Sequence, residues 1–152
     1  MSVKTSLYET DFYAWTQHQA ALLRRNKWGE IDAANLAEEV ESLGRRDRRE
    51  LGSRLRVLLV HLLKWRYQPE RQQESHSWSD TILEQREQIA DLLADSPSLR
   101  PQLSNLLPLQ YMRARRRALR EAGLAEAILP QECPWTIERV LDETFWPHET
   151  PE

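Results

Sequence analysis

The amino-acid sequence predicts an all-α fold: a single helical-bundle domain of five or six helices around a long central helix, about 48–66. Three observations predict it. Apolar residues recur at spacings of three and four along most of the chain. No stretch alternates apolar and polar residues as a half-buried strand does. Only 4 glycines and 8 prolines occur in 152 residues, and most of these fall where the periodic segments end. A chain of this length buries roughly 68–70% of the surface its unfolded form exposes, enough for a real core. No internal repeat or linker divides it. The expectation is one domain over 1–152, with tails at about 1–9 and 148–152.

The elements follow in order. Phe12, Trp15, Gln19, Leu22 and Leu23 keep helical spacing behind Thr10 or Asp11 as N-cap, so a first helix is expected over about 11–25. Trp28-Gly29 breaks it. Asp32 caps a second helix, about 33–43, with core stripe Leu36, Val40 and Leu43 and Gly44 as its stop. Asp47-Arg48-Arg49-Glu50 has the spacing of a capping box and opens the long helix. Its stripe is Leu51, Leu55, Leu58, Leu62 and Trp65, widened by Leu59 and Leu63; Pro69 ends it.

The polar run from Pro69 to His76 reads as a loop. Ser77 and Asp80 cap a fourth helix, about 78–94, with stripe Trp78, Ile82, Ile89 and Leu93. Ser96-Pro97 opens a fifth that runs to Ala122 and stops at Gly123. Pro108 lies inside it and is expected to kink or divide it. A short last helix, about 135–142, precedes Phe145-Trp146-Pro147, an aromatic plug.

Several function classes have no support. One cysteine, Cys133, makes no intramolecular disulfide and no CxxC site. No apolar run approaches the ~18 residues of a membrane span. No signal-peptide h-region is visible, so a cytoplasmic location is expected and no membrane association. Nucleotide-loop, zinc-protease, nucleophile-elbow and calcium-loop patterns are missing, and no cofactor is expected.

Charge is uneven. The net charge is −3, yet residues 45–71 carry 9 basic and 3 acidic side chains, and residues 121–152 carry 1 and 8. Of the 21 basic residues, 18 are arginine. Arg45, Arg46, Arg48 and Arg49 precede the long helix, and Arg113, Arg116, Arg117 and Arg120 share one surface of the fifth. Nucleic-acid binding through these clusters is one alternative. It is disfavoured by the net charge and by the lack of a helix-turn-helix or RNA-recognition motif. Pairing of the arginines with the acidic C-terminal segment is the simpler reading.

Three polar residues lie at core angles. Glu39 flanks the stripe of the second helix, His61 that of the long helix, and Arg86 lies within that of the fourth. Three readings follow: a buried ion pair between Glu39 and Arg86 beside His61, an acid–base or metal-dependent site at Glu39 and His61, or no convergence of the three. The Glu-x-x-His pairs of di-iron bundles are missing, so no complete metal site is expected. Of the 6 tryptophans, Trp15, Trp65 and Trp78 belong to stripes. Trp28, Trp135 and Trp146 are either loop anchors or a candidate aromatic surface.

The strings YETDFYAWTQHQAALLR, NLAEEVESLGRRDRREL, HLLKWRYQP, SWSDTILEQR, SPSL and CPWTIERVLDETFWP occur in order. Over about residues 7–147 they resemble the bacterial family catalogued as domain of unknown function 29. The resemblance implies a single all-α domain and a small stand-alone bacterial protein. It implies no activity and carries over no catalytic residue. From the residues, the expected function is a non-enzymatic protein-binding or regulatory module, its partner another protein or a second copy. The alternatives remain the enzyme at Glu39 and His61 and the nucleic-acid binder.

Overall fold

The structure is a computed structural model that describes residues 3–72 and 76–148. It is an all-α protein, with no strand among the described residues. Among the described residues six α-helices follow in order: α1 (Val3–Thr10), α2 (Phe12–Arg24), α3 (Ala33–Tyr67), α4 (His76–Asp95), α5 (Leu103–Ala122) and α6 (Ile137–Leu141). Short 3-10 turns cover Pro69–Arg71, Pro97–Gln102 and Glu126–Ile128. Two compact units form, Met1–Arg46 and Asp47–Glu152, and α3 contributes to both. The stretch expected as an N-terminal tail, 1–9, holds most of α1. Of the expected C-terminal tail, 149–152 lie outside the described residues.

In the first unit, Asp11 caps α2 by accepting from the Ala14 N–H at 3.1 Å. The helix ends before the expected Trp28-Gly29 break. Asn26 takes a left-handed φ of 59°, its N–H reaches the Leu23 carbonyl, and the Lys27 N–H reaches that of Leu22. This double closure satisfies the last carbonyls of α2, and asparagine tolerates the conformation. Asp32 then ties the unit together. Its backbone N–H donates to Gln19 Oε1 at 2.7 Å, and its carboxylate accepts from Trp15 Nε1 at 3.2 Å. Trp15, Gln19 and Leu22 are buried here. Two expectations fail: Val40 and Leu43 are 66% and 56% exposed, so their stripe is not core.

The second helix and the long helix expected from the sequence are one continuous helix, α3. Gly44 does not stop it, and Asp47 does not start a new helix. A glycine inside a helix costs only about 1 kcal/mol relative to alanine, and no proline follows to break the ladder. Arg45 bridges back over this turn to Glu38 at 2.7 Å and Glu41 at 3.7 Å.

The second unit holds the main core. Leu51, Leu55, Leu58, Leu59, Leu62 and Leu63 of α3 are fully buried against Ile82 and Ile89 of α4 and Leu103, Leu106 and Ala114 of α5. Gly52 gives close passage: a Cβ there would lie 2.9 Å from Gln110 Nε2. Pro108 does not divide α5. It is exposed, so the Ser104 carbonyl it leaves without an amide partner is on the solvent side. Gly123, with φ 65°, ends α5 as expected.

The connector after α5 is held by side chains. Tyr111 Oη donates to the Pro130 carbonyl at 2.5 Å. Arg115 donates from Nε to that carbonyl at 3.0 Å and from Nη2 to the Glu126 carbonyl at 2.8 Å. Thr136 caps α6, accepting from the Arg139 N–H at 3.3 Å. Beyond it, the aromatic plug docks as expected: the Trp146 ring lies 4.7 Å from that of Trp65.

Candidate functional site

The helical phase of α5 sets Arg113, Arg116, Arg117 and Arg120 on one surface, because residues three and four apart are neighbours on a helix. Arg56 of α3 joins them. The five guanidiniums line one open depression of about 420 Å³. Arg117 has an internal carboxylate, donating from Nε to Glu121 at 2.8 Å. Lys64 of α3 reaches the same carboxylate at 2.6 Å. These two bonds, that of Lys64 foremost, hold the Glu121 carboxyl down at about 2. Among the described residues, Arg56, Arg113, Arg116 and Arg120 have no carboxylate partner.

Of the acidic residues of 121–152, Glu121 pairs with Arg117 as expected. Asp142 and Glu143 act instead on Arg86. Among the described residues, the expected pairing of that segment with the α5 arginines is met at Arg117 and not at Arg113, Arg116 or Arg120. The other cluster divides. Arg45 is held by Glu38 and Glu41, and Arg48 donates to Gln102 Oε1 at 3.0 Å. Arg46 and Arg49 are exposed.

Glu39, His61 and Arg86 each have a partner of their own. Glu39 belongs to the first unit, where its carboxylate accepts from the Tyr8 hydroxyl at 2.5 Å. That bond pushes the Tyr8 phenol up to about 12. His61 is half-buried, and its Nδ1 lies 2.9 Å from the Val57 carbonyl one turn back. Burial lowers its pKa, favouring the neutral ring. Arg86 is 2% exposed, and its Nε donates to the Val140 carbonyl at 2.8 Å. Its guanidinium carbon lies 5.6 Å from the centre of the Trp146 ring. No group of three or more His, Cys, Asp or Glu positioned to hold a metal occurs among the described residues.

The three unassigned tryptophans separate as well. Trp28 is 61% exposed in the first unit. Trp135 and Trp146 are half-buried, packed on the core of the second. They share a cavity of about 350 Å³ with Arg139, Asp142 and Phe145. Cys133 is half-buried, donates from Sγ to the Trp135 carbonyl at 3.3 Å, and has its thiol pKa raised by burial. It is a packed thiol rather than an activated one.

Sequence reasoning missed Arg56 and Tyr8. Arg56 stands alone on its helix face, and its companions come from α5, more than fifty residues on. Only the tertiary pairing of α3 with α5 reveals it. Tyr8 fell in the stretch taken as tail, although Tyr8, Phe12 and Trp15 continue one helical spacing that would have exposed it.

No helix among the described residues is long and apolar enough to cross a membrane. No curated protein and no solved structure matches the chain significantly. The family described as Domain of unknown function DUF29 matches residues 7–146, nearly the whole of the 152-residue chain. The helical chain that carries the arginine-lined depression and the buried Arg86 thus belongs to the DUF29 family.

Proposed function

We propose that this protein is a non-enzymatic binding module that docks an acidic segment of a protein partner in the arginine-lined depression. One observation carries the reading: four of its five guanidiniums have no carboxylate partner among the described residues. Like charges gathered on one face repel, and a negatively charged partner relieves that repulsion. Guanidinium forks suit carboxylates, which they can grip with two parallel hydrogen bonds. Glu121, held by one bond from Arg117 and one from Lys64, is a carboxylate already seated at the edge of this face. The enzyme reading gains no comparable support. Glu39 and His61 belong to different units, and each is tied to a partner of its own.

The test is fluorescence anisotropy with a labelled oligoglutamate peptide at low salt. Saturable binding is expected, weakening as salt rises. The double variant R113E/R116E should lose about tenfold or more in affinity. Unchanged binding by that variant overturns the proposal. Tighter binding of a single-stranded oligonucleotide through the same arginines would replace a protein partner with a nucleic acid.

A further inference from the structure

Arg86 presents a buried positive charge with one of its five N–H donors used. Its Nε is taken by Val140, but Nη1 and Nη2 are buried and have no hydrogen-bond partner. Asp142 and Glu143 favour the charge only from a distance. Burial of an uncompensated charge is costly, and arginine does not escape by losing its proton. A third donor shares this condition: Trp65 Nε1 is buried without a partner. Both side chains pack on one indole. Trp146 lies 4.7 Å from the Trp65 ring and 5.6 Å from the Arg86 guanidinium carbon.

We propose that Arg86, Trp65 and Trp146 form a binding site for a small organic carboxylate. The two carboxylate oxygens accept from Nη1 and Nη2, and Trp65 Nε1 supplies a third bond. The apolar body of the ligand lies against the indoles. One positive charge matches one negative charge, and the paired Nη atoms match two oxygens of one plane. A phosphate dianion would bring a second charge that nothing buried here offsets. A water molecule can accept a hydrogen bond but leaves the charge uncompensated.

Trp146 is the entry gate. It also lines the cavity of about 350 Å³ formed with Asp142, Thr144, Phe145 and His148. Trp146 touches both that cavity and the Trp65 and Arg86 side chains, which makes displacement of its indole the route assigned to the ligand. The site is separate from the α5 depression and does not rest on its role.

The full chain should be titrated with sodium benzoate at constant ionic strength, following indole fluorescence and melting temperature. Sodium chloride and sodium phosphate are the controls. A saturable fluorescence change and a rise in melting temperature are expected with benzoate alone. R86M keeps an apolar stem of similar length and should bind about tenfold more weakly or worse, the loss expected when bonds to a charged group disappear. R113E/R116E should bind benzoate as the wild type does. Absence of a saturable response, equal affinity for phosphate, or unchanged affinity in R86M overturns the proposal. If R86M does not fold, W65F decides: a several-fold weaker affinity supports the site, and an unchanged one overturns it.

Discussion

The Tyr8 hydroxyl donates to the Glu39 carboxylate at 2.5 Å, so the partner of Glu39 comes from thirty-one residues earlier in the chain. The bond fixes α1 against the start of α3. Replacing Glu39 by alanine should destabilise the first unit more than replacing Glu41. Glu41 is 70% exposed and reaches Arg45 only at 3.7 Å, so its loss should cost less than about 0.5 kcal/mol. Equal melting temperatures for the two variants would contradict the geometry.

The same bond has a pH signature. The Tyr8 phenol stands at about 12 in the folded chain, against an ordinary value of 10.0, because its hydroxyl donates a hydrogen bond to the Glu39 carboxylate. A raised folded pKa means the contribution is complete below pH 10 and disappears as pH climbs through about 12. In E39Q, one tyrosine should return toward its ordinary value in a phenolate absorbance titration. An unaltered titration curve would remove the assigned bond.

The second unit was legible in the sequence because its stripes face one continuous core. Leu51, Leu55, Leu58, Leu59, Leu62, Leu63, Trp78, Ile82 and Ile89 are buried where helical phase placed them, and so is Arg86. The first unit was less so. Phase shows that Val40 and Leu43 share a face with Leu36, but not whether another element covers that face. Gly44 carried a stop signal that is conditional: glycine ends a helix only where the chain needs a left-handed residue. Gly123 meets that need with φ 65°, and Gly44 does not adopt a positive φ. The arginine depression was half legible, its α5 ridge from spacing and its α3 wall not at all.

Gly44 and Gly52, two helical turns apart, should respond oppositely to alanine. Nothing lies within 4 Å of a Cβ at Gly44, so G44A should stabilise by about 1 kcal/mol through helix propensity alone. At Gly52 the new Cβ meets Gln110 Nε2 at 2.9 Å and Leu106 at 3.7 Å in a buried crossing. Overpacking of about 1–3 kcal/mol should outweigh the propensity gain there. Urea denaturation of the two variants reads the signs. Shortening Gln110 to alanine in the G52A background should recover part of the loss, since that side chain is the obstacle.

Arg86 makes a prediction about stability apart from any ligand. Its buried charge lacks an ion-pair partner among the described residues, so the side chain contributes mainly volume and one bond to Val140. In carboxylate-free buffer, R86M should stay within about 1 kcal/mol of the wild type, because an apolar side chain of similar volume replaces an uncompensated charge. R86A leaves a void beside the Trp146 ring and should cost about 3 kcal/mol. Chemical denaturation of both variants would expose a hidden counter-charge if R86M proved as damaging as R86A.

Glu121 gives the unit an acid-sensitive clasp between α5 and α3. Lys64 and Arg117 hold its carboxyl at about 2, below the ordinary 4.5. A depressed folded pKa means the contribution is complete above pH 4.5 and is lost as pH falls through about 2. The carboxylate is 33% exposed, so solvent screening reduces the benefit to about 1 kcal/mol. Thermal melts of wild type and E121Q should differ by that amount at neutral pH. The gap should narrow steadily as pH falls from 4.5 toward 2, and high salt should narrow it at any pH. Because both proteins share every other carboxylate, a gap independent of pH would show that Lys64 is held to α5 by packing of its stem rather than by charge.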